Sequence, residues 1–147
     1  MAKALSCGIV IVDDHFILAC HVTGQNHWDI SKGHFDQNLD VSRKACAIRE
    51  THEEIGVCLP EVFLIDLGQF KYTKYKDLHL FLYRVVDLDN LLSLGLKCYS
   101  VFPTVAYGVV PEMDGYRKVR FDNIGSYFTK SMTKVLKKVF SLQLTSK

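Results

Sequence analysis

From Ala4 to Val12 the chain reads Ala-Leu-Ser-Cys-Gly-Ile-Val-Ile-Val, an apolar and largely β-branched run. Such a run suits a strand covered on both faces. Asp13-Asp14 signals a turn, Phe16 to Val22 reads as the hairpin partner, and Gly24-Gln25-Asn26 closes the pair. Ser42 can cap a helix from Arg43 to Ile55, with Ala45, Ile48 and Thr51 or His52 on its buried side and Gly56 as its stop. After Pro60, Val62 to Tyr72 and Leu78 to Val86 predict two strands joined by a short basic and aromatic connection, Thr73 to Asp77. From Asp87 to Tyr107 the pattern weakens. Leu88, Leu91, Leu92 and Leu94 suggest a helical turn and Cys98 to Tyr107 a returning strand, and whatever is peculiar to the protein is expected here. Tyr116 to Phe121 fits a last strand, and Tyr127 to Leu144 repeats Phe128, Met132, Val135, Leu136, Val139 and Phe140 at helical spacing. This order predicts an α/β fold in which helices clasp a mixed sheet from both sides.

Composition narrows the picture. At 147 residues the chain is expected to form one domain, 1–147, burying about 68–70% of its unfolded surface. A formal charge of +2 lacks the basic excess of a protein that holds duplex nucleic acid by electrostatics alone, so any nucleic-acid contact should be local. Lys130, Lys134, Lys137 and Lys138 on the last helix read as a solvated charged face. Cys7, Cys20, Cys46, Cys58 and Cys98 are odd in number and show no C-x-x-C spacing, which suits buried thiols in a reducing cytoplasm. No run of about 18 apolar residues predicts membrane insertion. No feature calls for an obligate protein partner.

Chemistry enters with Arg49-Glu50-Thr51-His52-Glu53-Glu54-Ile55-Gly56-Val57. At about 100° per residue, Glu53 and Glu54 each lie within about 60° of Glu50 on a helix. Such a cluster repels itself unless a divalent cation is its partner, and an all-oxygen donor set points to Mg²⁺ or Mn²⁺ rather than zinc. A solvated acidic face with ordinary pairing of Arg49 and Glu53 is the plainer alternative.

The segment Gly33 to Val57 resembles the Nudix box, G-x5-E-x7-R-E-U-x-E-E-x-G-U with U aliphatic. It matches through Arg49, Glu50, Glu53, Glu54, Gly56 and Val57, whereas Thr51 replaces an aliphatic residue. Trp28-Asp29-Ile30-Ser31-Lys32-Gly33-His34 is similar to the Trp-x-x-Pro-Lys-Gly-His approach of members that act on dinucleoside polyphosphates, with Ser31 in place of proline. The first half of the box is two residues longer than usual. Its glutamate position holds Leu39 in one register and Val41 in the other, and Asp40 between them can pair with Arg49 instead. Pro111-Glu112-Met113-Asp114-Gly115-Tyr116-Arg117-Lys118-Val119 also resembles a stretch of bacterial RNA 5′-pyrophosphohydrolases.

The resemblance implies the Nudix α/β/α sandwich and hydrolysis of a phosphoanhydride by metal-activated water. It implies that Glu50, Glu53 and Glu54, the backbone carbonyl of Lys32 and the distal Glu112 hold the cation, with Glu53, Glu50 or Glu112 as general base. Arg49, Asp40 and Gly56 would be structural. Lys32, Gly33, His34, Lys74, Tyr75, Lys76 and Arg117 would bind substrate, the cations steadying phosphates and Tyr75 offering a flat face to a base. A dinucleoside polyphosphate such as diadenosine tetraphosphate leads the implied substrates. Pyrophosphate removal from 5′-phosphorylated RNA is the alternative, followed by a non-catalytic nucleotide- or RNA-binding module.

Overall fold

The computed structural model describes residues 3–144, with side chains as far as Ser141; residues 1–2 and 145–147, the ends of the expected domain, lie outside the described residues. Two strands open the chain, β1 (Ala4–Val12) and β2 (Phe16–Val22), followed by β3 (Trp28–Asp29) and β4 (Ser31–His34). Helix α1 (Arg43–Ile55) leads through a 3₁₀ turn (Glu61–Phe63) to β5 (Ile65–Thr73) and β6 (Lys76–Arg84). Then come α2 (Leu88–Leu92), β7 (Val101–Thr104), β8 (Gly108–Pro111), β9 (Met113–Arg120), a second 3₁₀ turn (Phe121–Ser126) and α3 (Lys130–Leu144).

A seven-stranded sheet runs in the order β3-β2-β1-β6-β5, with β4 also paired to β1 and β9 to β2. It is mixed because β1 and β6 run parallel from Ala4 against Lys76 to Val12 against Arg84, while its other pairs are antiparallel. The apolar run of β1 divides by parity, since successive side chains point to opposite faces. Val10 and Val12 join Leu78, Leu80 and Leu82 of β6 beneath Met132, Val135, Leu136 and Val139 of α3. Cys7, Ile9 and Ile11 join Phe81 beneath Cys46, Ala47 and Ile55 of α1 and Leu88 and Leu91 of α2. The α/β sandwich with a mixed sheet between helices therefore has two cores, one on each face.

Ser42 caps α1 by accepting the Ala45 N–H, and Gly56 ends it at φ 79°, donating its own N–H to the His52 carbonyl. The buried stripe differs from expectation. It consists of Cys46, Ala47, Thr51, Glu54 and Ile55, whereas His52 is exposed and Ala45 and Ile48 are half-buried. The helix is turned so that one carboxylate of its acidic run points inward.

Other boundaries move for local reasons. The strand expected from Val62 begins at Ile65, because Pro60 starts a 3₁₀ turn that leaves Val62 and Phe63 exposed. The expected five-residue connection is a tight turn in which only Lys74 and Tyr75 stand between β5 and β6. The last strand starts at Met113 rather than Tyr116, Phe121 belongs to a 3₁₀ turn, and α3 begins at Lys130 rather than Tyr127. The returning strand of 98–107 is an antiparallel ribbon, β7 against β8, pairing Val101 with Pro111 and Thr104 with Gly108. Cys7, Cys20 and Cys46 are buried, but Cys98 is half-buried and Cys58 exposed, which corrects the expectation of uniformly buried thiols. Among the described residues no helix is long and apolar enough to cross a membrane.

Candidate active site

β4 lies against the first half of β1, Lys32 opposite Gly8 and Gly33 opposite Cys7, and presents its other edge to α1. Lys32 donates its backbone N–H to Glu54 Oε1 at 2.9 Å. In an antiparallel ladder the N–H and C=O of one residue face the same edge, so the Lys32 carbonyl opens towards α1 as well. One residue on, a Cβ at Gly33 would stand 1.9 Å from Glu50 Cδ. The Glu50 carboxylate therefore rests directly on the peptide of Gly33, in space that only glycine leaves open.

Arg49 braces this arrangement. Its Nε and Nη2 grip the two oxygens of Asp40 at 2.8 and 3.0 Å, and its Nη1 reaches Glu50 at 3.0 Å and Glu53 at 3.3 Å. Asp40 is buried and also accepts the Asp36 N–H, while Leu39 and Val41 on either side project into solvent. The longer connection thus bulges outward on its apolar positions and turns its one acid inward. Hydrogen bonds from Arg49 hold the Asp40 carboxyl down at about 2.

The acids of α1 differ in environment. Glu54 is 2% exposed, and burial pushes its carboxyl up to about 9, with Asp29 and Glu112 adding to the shift against Lys32. Burial also raises Glu50, helped by Glu53 and Glu112 and opposed by Arg49. Glu53 is the open one, its side chain 39% exposed. Among the described residues no three His, Cys, Asp or Glu side chains form a ready-made metal cage. The carboxylates are near neighbours but are not gathered on one point, since Glu54 turns in beneath β4 while Glu50 and Glu53 share Arg49.

Glu112 reaches this corner through the segment whose pattern is weakest. The C-terminal carbonyls of a helix need partners from outside it. Lys97 donates to the Ile55 carbonyl at 3.1 Å, and Tyr99 and Ser100 donate to that of Glu53 at 2.6 and 3.1 Å. The chain then runs out along β7 and back along β8, and the Glu112 N–H closes the loop on the Ser100 carbonyl at 3.0 Å. Tyr116, on the strand that follows, donates its hydroxyl to the Glu54 carbonyl.

Two departures from the box pattern meet each other. Ser31 Oγ and Thr51 Oγ1 share a 2.9 Å hydrogen bond, both almost fully buried, and Ser31 has only a 3.5 Å contact to the Ile9 carbonyl besides. Thr51→Val, although nearer the usual pattern, is expected to destabilise the fold by about 1–3 kcal/mol, because it strands a buried hydroxyl. Adding Ser31→Ala should recover most of the loss in urea denaturation. A neutral Thr51→Val would remove this account.

The cations and aromatics named from sequence scatter. Lys32 pairs with Asp29 at 3.0 Å, its Nζ 5.9 Å from the Tyr72 ring centroid; burial works against its charge, but Asp29, Tyr72 and Glu54 together more than offset this and the pKa is raised. His34 has an exposed side chain and lends its carbonyl to Arg49 at 3.4 Å. Lys74, Tyr75 and Lys76 sit at the β5–β6 turn beside Ala4, four strand residues or roughly 13 Å along β1 from the register of Lys32. Arg117 is not brought to the glutamates. It follows Tyr116 on β9, faces the other side of the sheet, and lies 4.4 Å from the Tyr127 ring centroid and 5.8 Å from that of Trp28. Asp29, the counter-charge of Lys32, carried no separate sequence signal, because its strand β3 has only two residues.

The NUDIX domain model matches residues 2–97, which include β4, α1 and all three of its glutamates. The chain belongs to the Nudix family. A 17.7 kDa protein from the e–segB intergenic region of Enterobacteria phage T4, itself uncharacterised, is 35% identical over 123 residues, covering 78% of this chain and 80% of that one. The NUDIX domain of Shewanella oneidensis NrtR, solved with ADP ribose, superposes with a TM-score of 0.69 at 12% identity, covering 98% of this chain and 90% of that one. A C. elegans Ap4A hydrolase gives 0.60 at 20% identity, covering 97% and 99%. At these identities the two structures speak for the Nudix fold. As a Nudix hydrolase the protein acts on phosphoanhydride bonds, and enzymes of this family generally use divalent metals. Glu112 lies beyond the matched residues, and the Ser100 clamp brings it to the end of α1.

Proposed function

We propose that this Nudix hydrolase is a Mg²⁺- or Mn²⁺-dependent pyrophosphohydrolase of nucleoside diphosphate-linked compounds, with dinucleoside polyphosphates such as diadenosine tetraphosphate as the leading substrates. One observation carries the reading: Ser100 donates its N–H to the Glu53 carbonyl and accepts the Glu112 N–H, so an acid far off in sequence stands beside the end of the acidic helix. The oxygens of Glu50, Glu54 and Glu112, with the Lys32 carbonyl, make a hard donor set, and burial raises the Glu50 and Glu54 carboxyls. A bound divalent cation supplies phosphate neutralisation and an acidified water. Glu50 and Glu54 would hold the cation, Glu50 kept in place by Arg49 and Gly33. Glu53, the most open of the three, takes the proton of the attacking water, with Glu112 as the other candidate base. Tyr75 is 72% exposed, with Lys74 Nζ 5.5 Å from its ring centroid, and offers a base-stacking face with a cation beside it.

A second reading, pyrophosphate removal from 5′-phosphorylated RNA, is favoured by the same placement of Glu112, within the stretch that resembles RNA 5′-pyrophosphohydrolases. The test is turnover with Mg²⁺ of diadenosine tetraphosphate, triphosphorylated RNA, ADP-ribose and nucleoside triphosphates. Wild type should cleave diadenosine tetraphosphate best, and Glu53→Gln should lose about 10²–10⁴-fold in kcat. Preferred cleavage of triphosphorylated RNA selects the second reading. Tight nucleotide binding without cleavage of any substrate overturns both.

A further inference from the structure

Beyond Lys32, on the face of the sheet that carries α3, lies a groove of about 410 Å³. Among the described residues its wall carries Lys3, Lys71, Lys74, Lys134 and Lys138 with Tyr72, and no aspartate or glutamate. Lys3 has a counter-charge in Asp77 at 3.2 Å, whereas Lys134 and Lys138 make no ion pair among the described residues. These two stand one turn apart on the same face of α3, a like-charge spacing that weakens a helix when nothing offsets it. An anion between α3 and the end of β5 would relieve that repulsion. The groove and the acidic helix lie on opposite faces of the sheet and meet at Lys32, on its edge. Tyr72 lines it and lies beside the Lys32 ammonium, and the backbone of Lys32 holds Glu54. A chain with a net charge of only +2 thus concentrates five of its lysines in a groove whose Tyr72 stands beside Lys32, the residue that holds Glu54.

We infer that this groove is an anion-binding extension of the active site, holding phosphates that lie beyond the scissile anhydride and so selecting substrates with long phosphate chains. The inference rests on the hydrolase reading above for its direction, while the groove itself can be tested without catalysis. Two sources share this chemistry, the polyphosphate bridge of a dinucleoside and the phosphodiester backbone behind an RNA 5′ end.

Calorimetry of inorganic tripolyphosphate with the metal-free full chain tests the groove directly. Lys134→Glu and Lys138→Glu should each weaken binding about 10-fold and flatten its salt dependence, while Lys137→Glu, outside the groove wall, reverses the same charge on the same helix without effect. Absence of binding, or equal weakening by Lys137→Glu, overturns the inference. Turnover then identifies the source. The groove variants should raise KM about 10-fold, with kcat retained, for diadenosine tetraphosphate, for triphosphorylated oligoribonucleotides, or for both, relative to ADP-ribose. A rise on RNA alone assigns the groove to the phosphodiester backbone, and a rise that includes the dinucleotide assigns it to the polyphosphate. An equal rise on ADP-ribose reduces the lysines to a general field and overturns the inference. Failure of wild type to cleave anything sinks the hydrolase reading and leaves the tripolyphosphate result standing.

Discussion

Glu54→Gln should cut hydrolysis by about 10²-fold or more and at the same time make the metal-free protein more stable. The carboxyl of Glu54 begins from an ordinary 4.5 and is pushed by burial to about 9. A group whose pKa is raised by folding costs nothing below its unfolded value, and the cost then grows by roughly 1.4 kcal/mol per pH unit until the folded value is passed. Wild type without metal should therefore lose stability as pH rises from 4.5 towards 9. Glutamine still accepts the Lys32 N–H but has no proton to lose, so the variant should be more stable by as much as roughly 5 kcal/mol at pH 8 and nearly equal at pH 5. Urea midpoints in a chelator at both pH values measure this, and an unchanged difference between them would count against a buried, titrating Glu54. With Mg²⁺ present, loss of one donor oxygen charge should cost about 10²-fold or more in turnover. The site thus trades stability for function.

Gly33→Ala should remove activity as thoroughly as removing the Glu50 carboxylate, without unfolding the protein. The added methyl would fall on Glu50 Cδ, at the far end of a flexible side chain that can swing away, so the backbone need not move. A drop of about 10²-fold in kcat/KM is expected, with a melting temperature within a few degrees of wild type. Glu50→Ala should cost as much, and combining the two should cost little more, because both delete one interaction. Full additivity would mean that the two residues act separately.

What the sequence showed best were the elements that packing and local chemistry specify together. β1 and β2 have continuous apolar runs, and α1 has a serine cap, an acidic run and a stopping glycine, so their limits appear in the structure unchanged. The segment Ser31–His34 is a strand only because β1 pairs with it; nothing in Ser-Lys-Gly-His alternates. Val62 and Phe63 look like strand residues and are exposed in a turn, because Pro60 redirects the chain before the sheet begins. The ribbon β7–β8 was legible only as one strand, since exposed residues such as Val101, Val109 and Tyr107 give it no buried side. At the site, spacing put Glu50, Glu53 and Glu54 on neighbouring turns but did not reveal that Glu54 turns inward. That depends on the rotation of α1 against β4. Arg117 stands apart from the glutamates for a related reason, as the pleat that brings Tyr116 to Glu54 sends its neighbour to the opposite face.

Because the ribbon is clamped at its foot, where Ser100 meets Glu112, and extends freely at Val105 and Tyr107, its length and its anchorage are independent variables. Residues can be inserted or deleted around the tip while the foot stays in register with the end of α1. A lineage could therefore remodel what the protrusion encounters, generation after generation, and never relocate the acid delivered at its base.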